Sequence, residues 1–501
     1  TGSQILGLFL PPMANETNKF QAIISHCKEY GFIFPSSEIY DGLQAVYDYG
    51  QMGSELKKNI KDYWWKSMTQ LQDNIVGIDA AIFMHPTTWK ASGHVDNFND
   101  PMIDNKDSKK RYRVDHLIEG FSDELRAAGQ EAKADEVIAA MEQLLSRDDF
   151  AGLKTLIEAN NIKCAISGSC NWTDIRQFNL MFSTEFGSTV SSEDEDNKVY
   201  LRPETAQGIF VNFLNVQKTG RMKIPFGIAQ IGKAFRNEIV ARQFIFRMRE
   251  FEQMEMQFFI RPGTQKEWYE KWKETRLNWH KSLGIPAEKY RFHDHVKLAH
   301  YADAACDIEF EFPIGFKELE GIHSRTDFDL KQHQEYSKKK QQYFDNDLDP
   351  ATGKPYGNYI PYVIETSIGL DRMFLAVISH AYEEQDLSTP EKPDSRVVLH
   401  LPAKLAPIKL AVLPLTKKDG LPEIAEQIMQ ECRGDFRCFY EEKDSIGKRY
   451  RRMDALGTPF CVTVDHQSKE DNTVTIRHRD SMQQERVAIS GLKRIVLGSL
   501  G

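Results

Sequence analysis

The stretch IAQIGKAFRNEIVARQFIFRMREFEQMEMQFF, residues 228–259, is the most informative part of the chain, because its charged and polar residues fall where two paired strands would place them on one face. Successive side chains of a β-strand point to opposite faces, so this spacing gathers the polar groups on one face. The group comprises Gln230, Arg236 and Glu238 in the first arm, and Arg247, Arg249, Phe251, Gln253 and Glu255 in the second. We therefore expect an antiparallel hairpin with one charged face.

Such a face is poor material for a hydrophobic core, because each buried charge needs a partner. It suits a bound nucleotide: arginines fork onto phosphates, Phe251 stacks on a base, and a glutamate accepts from an exocyclic amine. A solvated hairpin laced by salt bridges is the alternative, but it does not explain the interleaved aromatic and small residues. The pattern favours a nucleotide site.

The hairpin also resembles a known motif. FRNE (235–238), a loop and then REFEQME are similar to motif 2 of the class II aminoacyl-tRNA synthetases, and the loop resembles that of homodimeric glycyl-tRNA synthetases. The resemblance implies that Arg236 holds the α-phosphate of ATP, that Glu238 and the loop to Phe246 hold adenine, and that Phe251 stacks below it. It extends from about residue 15 to residue 496.

Composition is compatible with such an enzyme. The chain has 501 residues, 41% hydrophobic and 27% charged, which is enough for two or three domains with large cores. Seven cysteines without a CxxC pair indicate free thiols and a reducing compartment, so we expect a cytoplasmic protein. No apolar run reaches the roughly 18 residues of a membrane span. Residues 1–12 are interpreted as an extension or as artificially added residues.

Charge is distributed unevenly along the chain. Residues 401–501 hold 17 Lys+Arg and 14 Asp+Glu, net +3, so the first 400 hold 47 and 59, net −12, of the total −9. A locally basic surface on an acidic body can still attract a polyanion, because phosphate contacts depend on the local field. An ordinary, slightly basic domain fits the charge equally well.

A first helix and strand are predicted ahead of the hairpin. Residues 54–65 (SELKKNIKDYWW) have apolar residues at helical spacing behind a Ser54 cap, and the strand-like IDAAIFMH follows at 78–85. This pair resembles motif 1 of the family, which lies at a subunit interface and implies a homodimer. A helix that packs only on its own core is the alternative.

An insertion is predicted at residues 106–163, which are rich in Ala, Glu, Leu and Lys and poor in β-branched residues, as in helices. Cys164 and Cys170 follow it. Tetrahedral zinc needs four ligands and no second pair is near, so no protein metal site is predicted. In KKRYRVDH, the resemblance assigns a substrate contact to Arg113.

Two further strings carry acidic residues. RPETAQGIF begins at Arg202 and recurs in the glycine-specific family, where its glutamate, here Glu204, faces the amino acid. In FKELE, Glu318 and Glu320 are two apart and would share a strand face, where they could meet Mg²⁺ on a triphosphate; a solvated edge strand is the alternative. The resemblance assigns Glu318 and the Leu319 backbone to ATP.

The third motif is PYVIETSIGLDRMFLAVI, residues 361–378, a strand followed by a helix with a stripe of Leu370, Phe374 and Val377. Arg372 falls in the first helical turn, where a cation is disfavoured by the helix dipole unless an anion is bound. This string resembles motif 3, whose arginine reaches the γ-phosphate and covers adenine. Glu365 and Ser367 would line the glycine pocket.

After residue 401 the chain alternates strand and helix, which predicts an α/β module with a mostly parallel sheet. It resembles the anticodon-binding domain of some class II synthetases. A basic run with one aromatic residue lies on its second helix, where it would bind RNA or form a solvated helix face. The run comprises Lys448, Arg449, Tyr450, Arg451 and Arg452.

The predicted fold is therefore an α+β class II catalytic domain (13–400), with an antiparallel sheet, flanking helices and insertions at about 106–163 and 262–355, and an α/β anticodon-binding domain (401–501). Catalytic roles are assigned to Arg236, Glu238 and Arg372. ATP, with Mg²⁺ near Glu318, is assigned to Arg236, Asn237, Glu238, Phe246, Arg247, Met248, Arg249, Glu250, Phe251, Glu318, Leu319, Gly369, Leu370, Asp371 and Arg372. Glycine is assigned to Arg113, Glu204, Phe251, Glu252, Gln253, Met254, Glu255, Glu365, Thr366, Ser367, Ile368 and Gly369.

The expected activity is glycine activation with ATP and transfer to tRNA(Gly) by a homodimer. One alternative is a class II synthetase for threonine, proline, histidine or serine, against which RPETAQ and ETS favour glycine. Another is a catalytically inactive relative that binds nucleic acid as an accessory subunit. Intact Arg236, Glu238 and Arg372 argue against that second alternative.

Overall fold

The computed structural model describes residues 14–185, 198–238, 243–295, 298–299 and 301–500. Residues 1–12, predicted to be an extension, lie outside these ranges, and so do residues 239–242 of the predicted adenine loop. Among the described residues, no helix is both long and apolar enough to span a bilayer.

Helices and strands follow one another along the chain. The helices are α1 (Ala14–Glu29), α2 (Gln51–Trp65), α3 (Pro86–Ala91), α4 (His94–Asn97), α5 (Val114–Ala127), α6 (Glu131–Leu145), α7 (Phe150–Ala159), α8 (Ala206–Val211), α9 (Phe213–Thr219), α10 (Gln265–Lys281), α11 (Phe328–Ser337), α12 (Leu370–Ala381), α13 (Leu421–Cys432), α14 (Ile446–Leu456), α15 (His466–Asp471) and α16 (Ile489–Gly498). The strands are β1 (Ile33–Pro35), β2 (Tyr47–Tyr49), β3 (Ile75–Gly77), β4 (Asn99–Asp104), β5 (Arg111–Arg113), β6 (Arg176–Asn179), β7 (Ser183–Glu185), β8 (Lys198–Tyr200), β9 (Phe226–Phe235), β10 (Glu250–Ile260), β11 (Tyr290–Asp294), β12 (Ala304–Phe312), β13 (Gly315–Thr326), β14 (Tyr343–Leu348), β15 (Pro355–Tyr359), β16 (Tyr362–Gly369), β17 (Tyr382–Asp386), β18 (Ser395–Leu399), β19 (Leu410–Pro414), β20 (Cys438–Tyr440), β21 (Phe460–Val464), β22 (Thr473–His478) and β23 (Gln484–Ala488).

A seven-stranded sheet in the order β11-β12-β13-β16-β10-β9-β3 is the frame of the larger body. Its strands are antiparallel except for the β3–β9 pair, which confirms the predicted antiparallel sheet. Helices α2, α10 and α12 contribute to one continuous core with the apolar side chains of one sheet face, including Met254 and Ile308. The opposite face is polar at its centre.

The region expected to form motif 1 differs from its prediction. Helix α2 begins at Gln51 with Gly50 at its N-cap, so Ser54 lies in the first turn and the predicted Ser54 cap is wrong. The predicted strand at 78–85 is also wrong: β3 ends at Gly77, and residues 78–85 form an isolated bridge between Phe83 and Leu201. In place of a strand neighbour, the Arg202 guanidinium donates a hydrogen bond to the backbone carbonyl of Ala80 at 2.8 Å.

The predicted helical insertion contains α5, α6 and α7. These helices share a core with a three-stranded sheet in the order β5-β4-β6, and this core runs from Ile103 to Ile175. Cys164 and Cys170 are free thiols, the first buried in this core and the second partly buried against it. The sulfur of Cys164 lies 3.1 Å from the hydroxyl of Tyr112. The insertion is thus a small α+β module.

The C-terminal body has a five-stranded sheet in the order β20-β19-β21-β22-β23. The pairs of β19 with β20 and β21 are parallel, but β21–β22 and β22–β23 are antiparallel, so the predicted mostly parallel sheet is wrong. Parallel neighbours need a crossover of a dozen or more residues, and the connections 465–472 and 479–483 are too short for one.

Helix α2 joins the two bodies. The Asn59 amide donates to the carbonyls of Leu405 and Ala406 at 3.0 and 3.2 Å, and Glu55 forms a 2.6 Å ion pair with Arg437. The C-terminal body also contains a fully buried carboxylate, Asp454. It accepts from Arg396 at 2.8 Å and from Arg477 at 2.8 and 3.0 Å.

Candidate active site

The predicted hairpin is formed by β9 and β10. Gln230 lies opposite Glu255, Gly232 opposite Gln253, and Ala234 opposite Phe251. Cross-strand partners share a face, so Gln253, Glu255 and Phe251 line the same side of the sheet, as the two-residue spacing predicts.

The strands are shorter than predicted. Strand β9 ends at Phe235 and β10 begins at Glu250, so Arg236, Glu238, Arg247 and Arg249 lie beyond the strand ends, and their predicted place on strands is wrong. One further backbone bond, from the N–H of Arg236 to the carbonyl of Arg249 at 2.9 Å, joins the two arms there. The backbone N–H of Glu238 bonds to the carbonyl of Arg236 at 2.7 Å, which closes a turn that strand pairing cannot continue. The arginines therefore sit at the open end of the hairpin.

Three arginines, Arg236, Arg247 and Arg372, line one cleft at this end. The guanidinium of Arg236 lies 5.3 Å from the ring centre of Phe251, and that of Arg372 lies 4.3 Å from the ring centre of Phe246. Stacking holds both planes while leaving N–H groups at the ring edges for an anion. The cleft is lined by Arg236, Glu238, Ile245, Phe246, Arg247, Met248, Phe251, Glu252, Gln253, Glu318, Ser367, Gly369, Asp371 and Arg372.

Arg372 is held at the third residue of α12, as predicted. Its Nε donates to the carbonyl of Phe246 at 3.2 Å, and its Nη1 donates to the carbonyl of Glu318 at 3.1 Å and lies 3.0 Å from that residue's Oε2. Although desolvation acts to raise it, the pKa of Glu318 is lowered by Arg372 and Arg236. Within the cleft, the guanidinium groups of Arg372 and Arg236 therefore stabilise the ionised carboxylate of Glu318.

The faces of Glu318 and Glu320 were predicted to coincide, and this is wrong. Strand β13 has an extra residue against β12, because Glu318 lies opposite Glu309 while Glu320 lies opposite Ile308. Such a bulge breaks the alternation of faces. Glu318 faces the cleft, whereas Glu320 is fully buried against α10, where it accepts from Arg276 and His280.

Beside the cleft lies a cluster of three carboxyl groups, Glu204, Glu255 and Glu365. The Gln257 amide donates to Glu255 at 2.8 Å and to Glu365 at 2.6 Å, and the Thr205 hydroxyl donates to Glu255. The β10–β16 pairing brings Glu255 and Glu365 together from segments far apart in sequence, and the Thr205 bond to Glu255 ties in the segment that contains Glu204.

Basic groups surround this cluster. Arg325 Nη1 donates to Glu365 at 3.0 Å, while its other nitrogens donate to Asp329 at 2.8 and 3.0 Å. The ring of His323 lies 2.8 Å from Glu365, and the ring of His94 lies 3.4 Å from Glu204. The acidic groups outnumber the guanidinium, so the cluster favours a bound cation.

Neighbours push the three carboxyl pKa values apart. Burial acts to raise them all, but Arg325 and His323 hold the pKa of Glu365 well below its ordinary value. Against the same burial, His94 and Arg325 lower the pKa of Glu204 to about 2. Burial, and then the charges of Glu365 and Glu204, raise the pKa of Glu255 well above its ordinary value. Such divergence between neighbouring carboxyl groups is typical of functional sites.

Close packing walls the cluster. A Cβ atom on Gly208 would lie 2.6 Å from that of Ala80, and one on Gly232 would lie 2.2 Å from Nη2 of Arg202. Arg202 is held in place by a 2.6 Å bond to the carbonyl of Lys233. Added methyl groups at these glycines would therefore force the wall to move.

One residue joins the cleft to the cluster. Gln253 Oε1 accepts from the backbone N–H of Thr205 at 3.1 Å, and Gln253 Nε2 donates to Ser367 at 3.4 Å. Gln253 and Ser367 both line the cleft, while Thr205 binds Glu255. Two binding places thus share a border on one face of the sheet.

Other predicted side chains point away from both places. Met254, Leu319, Ile368 and Leu370 are buried in the hydrophobic core, and Thr366 is fully buried on the same strand face as Ile368. The reason is strand alternation: Gln253 and Glu255 face the site, so the residues between and beside them cannot.

Several predicted charges already have protein partners. Glu252 is paired with Lys57 and Lys61, and Asp371 accepts from Lys57 at 2.9 Å. Arg249 donates to the carbonyls of Glu238 and Gln44, and Glu250 pairs with Lys233. These groups brace the cleft. Asn237 bonds through its backbone N–H to the carbonyl of Leu180.

Arg113 ends β5 in the insertion module. Its guanidinium pairs with Asp115 and lies 3.4 Å from Asp100. Its hydrogen bond to Asp115 is the main cause that raises its pKa. Arg113 is therefore paired within the insertion module.

On α14, the predicted basic run is mostly occupied. Arg449 is 2% exposed and donates to the carbonyls of Pro414 and Glu441, so its predicted RNA contact is wrong. Arg451 pairs with Asp394, Arg452 pairs with Glu441, and the Tyr450 hydroxyl is bonded to Thr463. Lys448 is the exposed member of the run.

Sequence reasoning missed Arg325 and His323. They alternate with Gly321 along β13, which is the same two-residue polar spacing that identified the β9–β10 hairpin. Applied to IHSRTDFDL, that criterion would have found both. Gln257 and Thr205 carry no comparable signal.

Comparison with known proteins agrees with this geometry. The model of the tRNA synthetase class II core domain (G, H, P, S and T) matches residues 188–382, that of the glycyl-tRNA synthetase insertion domain 1 matches 100–135 and 124–180, and that of an anticodon binding domain matches 409–498. A protein of Chlorobaculum tepidum named "Glycine--tRNA ligase" is 54% identical over 470 residues, 93% of this chain and 97% of that relative.

The chain belongs to the glycine--tRNA ligase family. Relatives of the same name from Treponema denticola and Staphylococcus haemolyticus are 50% and 52% identical, over 95% and 94% of this chain and 96% and 97% of their own lengths. Family membership thus covers both bodies and the insertion module, and the predicted class II fold is confirmed.

Proposed function

We propose that this glycine--tRNA ligase forms glycyl-adenylate at the border between the Arg236–Arg372 cleft and the Glu204–Glu255–Glu365 cluster, and then transfers glycine to the 3′ end of tRNA(Gly). One observation carries the site assignment: Gln253 and Ser367 line the cleft and are hydrogen-bonded towards the cluster. Adenylate formation needs two adjoining binding sites, one for ATP and one for an amino acid.

The cleft is assigned to ATP. Arg236 binds the α-phosphate, Phe251 stacks on adenine, and Arg372 covers the nucleotide and reaches the terminal phosphate. Support comes from the two stacked guanidinium groups, whose planar forks match phosphate oxygens. Glu238 lies at the start of the loop that we assign to the adenine amine. Mg²⁺ on the phosphates is assigned to Glu318, whose ionised carboxylate faces the cleft.

The cluster is assigned to the ammonium group of glycine. Three carboxyl groups around one guanidinium make a place for a small cation, and close packing at Gly208 and Gly232 leaves the wall no freedom to retreat. A larger amino acid would have to displace packed atoms, which costs about 1–3 kcal/mol. Because glycine is the smallest amino acid, a pocket that rejects larger side chains by volume needs no separate editing step.

The chemistry is two successive transfers. A carboxylate oxygen of glycine attacks the α-phosphorus of ATP, the α–β bridging bond breaks and pyrophosphate leaves. A ribose hydroxyl at the tRNA 3′ end then attacks the carbonyl carbon, its proton is lost and AMP leaves. Arginines aimed at the α- and γ-phosphates stabilise charge in the first step, so the protein acts mainly through positioning and electrostatics.

We assign residues 13–400 to catalysis and 401–501 to the tRNA anticodon. The two bodies have different sheets, and the basic excess lies in the second. We further propose a homodimer that acts in the cytoplasm. The dimer proposal rests on the resemblance of the α2 region to motif 1 and on the similarity of the motif 2 loop to that of homodimeric enzymes.

The test is amino-acid-dependent exchange of labelled pyrophosphate into ATP, with all twenty amino acids in parallel. We expect exchange with glycine alone. Exchange with another amino acid would overturn the glycine cluster but keep the ATP cleft. No exchange from folded protein would mean that the chain is an inactive relative. Size-exclusion chromatography with light scattering tests the dimer separately.

A further inference from the structure

A buried ion-pair network lies behind the ATP cleft, on the opposite face of the sheet. Glu320 of β13 is fully buried and accepts from Arg276 Nε at 2.6 Å, and its other oxygen lies 2.7 Å from His280 Nε2. Arg276 and His280 are four residues apart on α10 and are themselves buried. Two side chains on one face of α10 therefore bind the same carboxylate.

This carboxylate adjoins the bulge of β13. Gly321, His323 and Arg325 lie at alternate positions, and His323 and Arg325 bind Glu365 on the site face. If side chains alternated without interruption along β13 from Arg325 back to Glu318, Glu318 would point to the same face as Glu320, away from the cleft. The extra residue, Leu319, reverses this and leaves Glu318 on the site face.

The bulge in turn supports Arg372. Both the carbonyl and the carboxylate of Glu318 contact Nη1 of this arginine, at 3.1 and 3.0 Å. If β13 lost its bulge, both contacts would leave the cleft together. The orientation of Arg372 thus depends on the register of β13.

We propose that Arg276, His280 and Glu320 are positioning residues, which pin the β13 bulge so that Glu318 holds Arg372 over ATP. The proposal rests on the assignment of ATP to the cleft. Burial of three polar side chains is poorly explained by stability alone, because a buried ion pair is often no more stabilising than apolar residues of similar volume. The Arg276–Glu320 pair does specify the register of β13, since a one-residue slip of that strand would put Glu320 on the site face and leave Arg276 buried without its partner.

The first test is Glu320→Gln, with the Michaelis constants for ATP and glycine measured by pyrophosphate exchange. We expect the KM for ATP to rise about fivefold or more and the KM for glycine, at saturating ATP, to change less than about twofold. Asp454→Asn is the matched control: it removes another fully buried carboxylate held by arginines, on α14 and not among the residues that line the cleft. It should lower Tm and leave both constants unchanged.

A second variant separates positioning from stability. Arg276→Met combined with His280→Leu and Glu320→Met replaces the whole network by apolar side chains, which should keep or raise Tm. We expect the same rise in KM for ATP. In a Glu318→Gln background, Glu320→Gln should add little, because both changes act through one contact.

Equal increases in both KM values, or an unchanged KM for ATP in either folded variant, would overturn the proposal. If the wild-type chain itself shows no glycine-dependent exchange, the proposed function fails instead. The two failures are therefore distinguishable.

Discussion

The carboxyl groups of Glu255 and Glu365 share one amide, because Gln257 Nε2 donates to the first at 2.8 Å and to the second at 2.6 Å. Their environments differ on the far side. Glu365 faces Arg325 and His323, while Glu255 faces the Thr205 hydroxyl. One carboxyl group is therefore ionised at neutral pH, and its charge favours the protonated form of the other.

Glu365→Gln should weaken glycine binding far more than ATP binding. A hydrogen bond to a charged group contributes about 1.5–3 kcal/mol, so we expect the KM for glycine to rise about 10- to 100-fold. The KM for ATP should stay within about twofold, because Glu365 does not line the cleft. Pyrophosphate exchange with each substrate varied in turn measures both, and an unchanged glycine KM would contradict the assignment of the cluster.

Glu255→Gln should change the pH dependence of stability. The folded pKa of Glu255 is raised above its unfolded value, so the native state binds the extra proton and loses stability as pH rises above about 4.5. Gln cannot titrate. We therefore expect the variant to gain Tm relative to wild type between pH 5 and 8, with a difference that vanishes at lower pH.

Differential scanning calorimetry at several pH values checks this, and a pH-independent difference would contradict it. The same variant should lose glycine-dependent exchange, because an amide, unlike the carboxyl group of Glu255, cannot ionise when the substrate ammonium binds. A gain in stability with a loss of function is typical of residues selected for binding.

Arg236→Ala should reduce adenylate formation about 10²- to 10³-fold, the usual effect of removing one donor to a transition-state charge. The fold should survive, because the guanidinium makes a 3.1 Å bond to the carbonyl of Pro203 and otherwise lies on aromatic rings. Arg291→Ala is the matched control, since Arg291 also stacks on a ring, that of Phe316, but outside the cleft. Near-normal exchange in Arg236→Ala would remove the assignment to the α-phosphate.

Lys448 and Arg449 should respond differently to replacement by alanine. Lys448→Ala should raise the KM for tRNA, reduce the salt dependence of that KM by about one phosphate contact, and leave pyrophosphate exchange unchanged. Arg449→Ala should instead lower Tm, because it removes the buried donor that binds the carbonyls of Pro414 and Glu441. Aminoacylation at several salt concentrations and thermal melts separate the two. A KM for tRNA whose salt dependence in Lys448→Ala equals that of the wild type would contradict RNA contact at this helix.

Features that depend on local spacing are predictable from the amino-acid sequence. The alternation around Phe251 and Gln253 predicted the β9–β10 hairpin, and the apolar stripe after Gly369 predicted α12 with Arg372 in its first turn. These predictions hold because periods of 2 and 3.6 residues are properties of a single element, set by its own backbone geometry.

Tertiary structure alone decided which of these groups can meet a substrate. The bulge at Leu319 sends Glu318 and Glu320 to opposite faces, packing buries Arg449, and β13 brings Arg325 and His323 to Glu365. Each outcome depends on the register and burial that neighbouring strands and helices impose. A residue's spacing along its own strand contains no information about the partner across the ladder, and the fold supplies it.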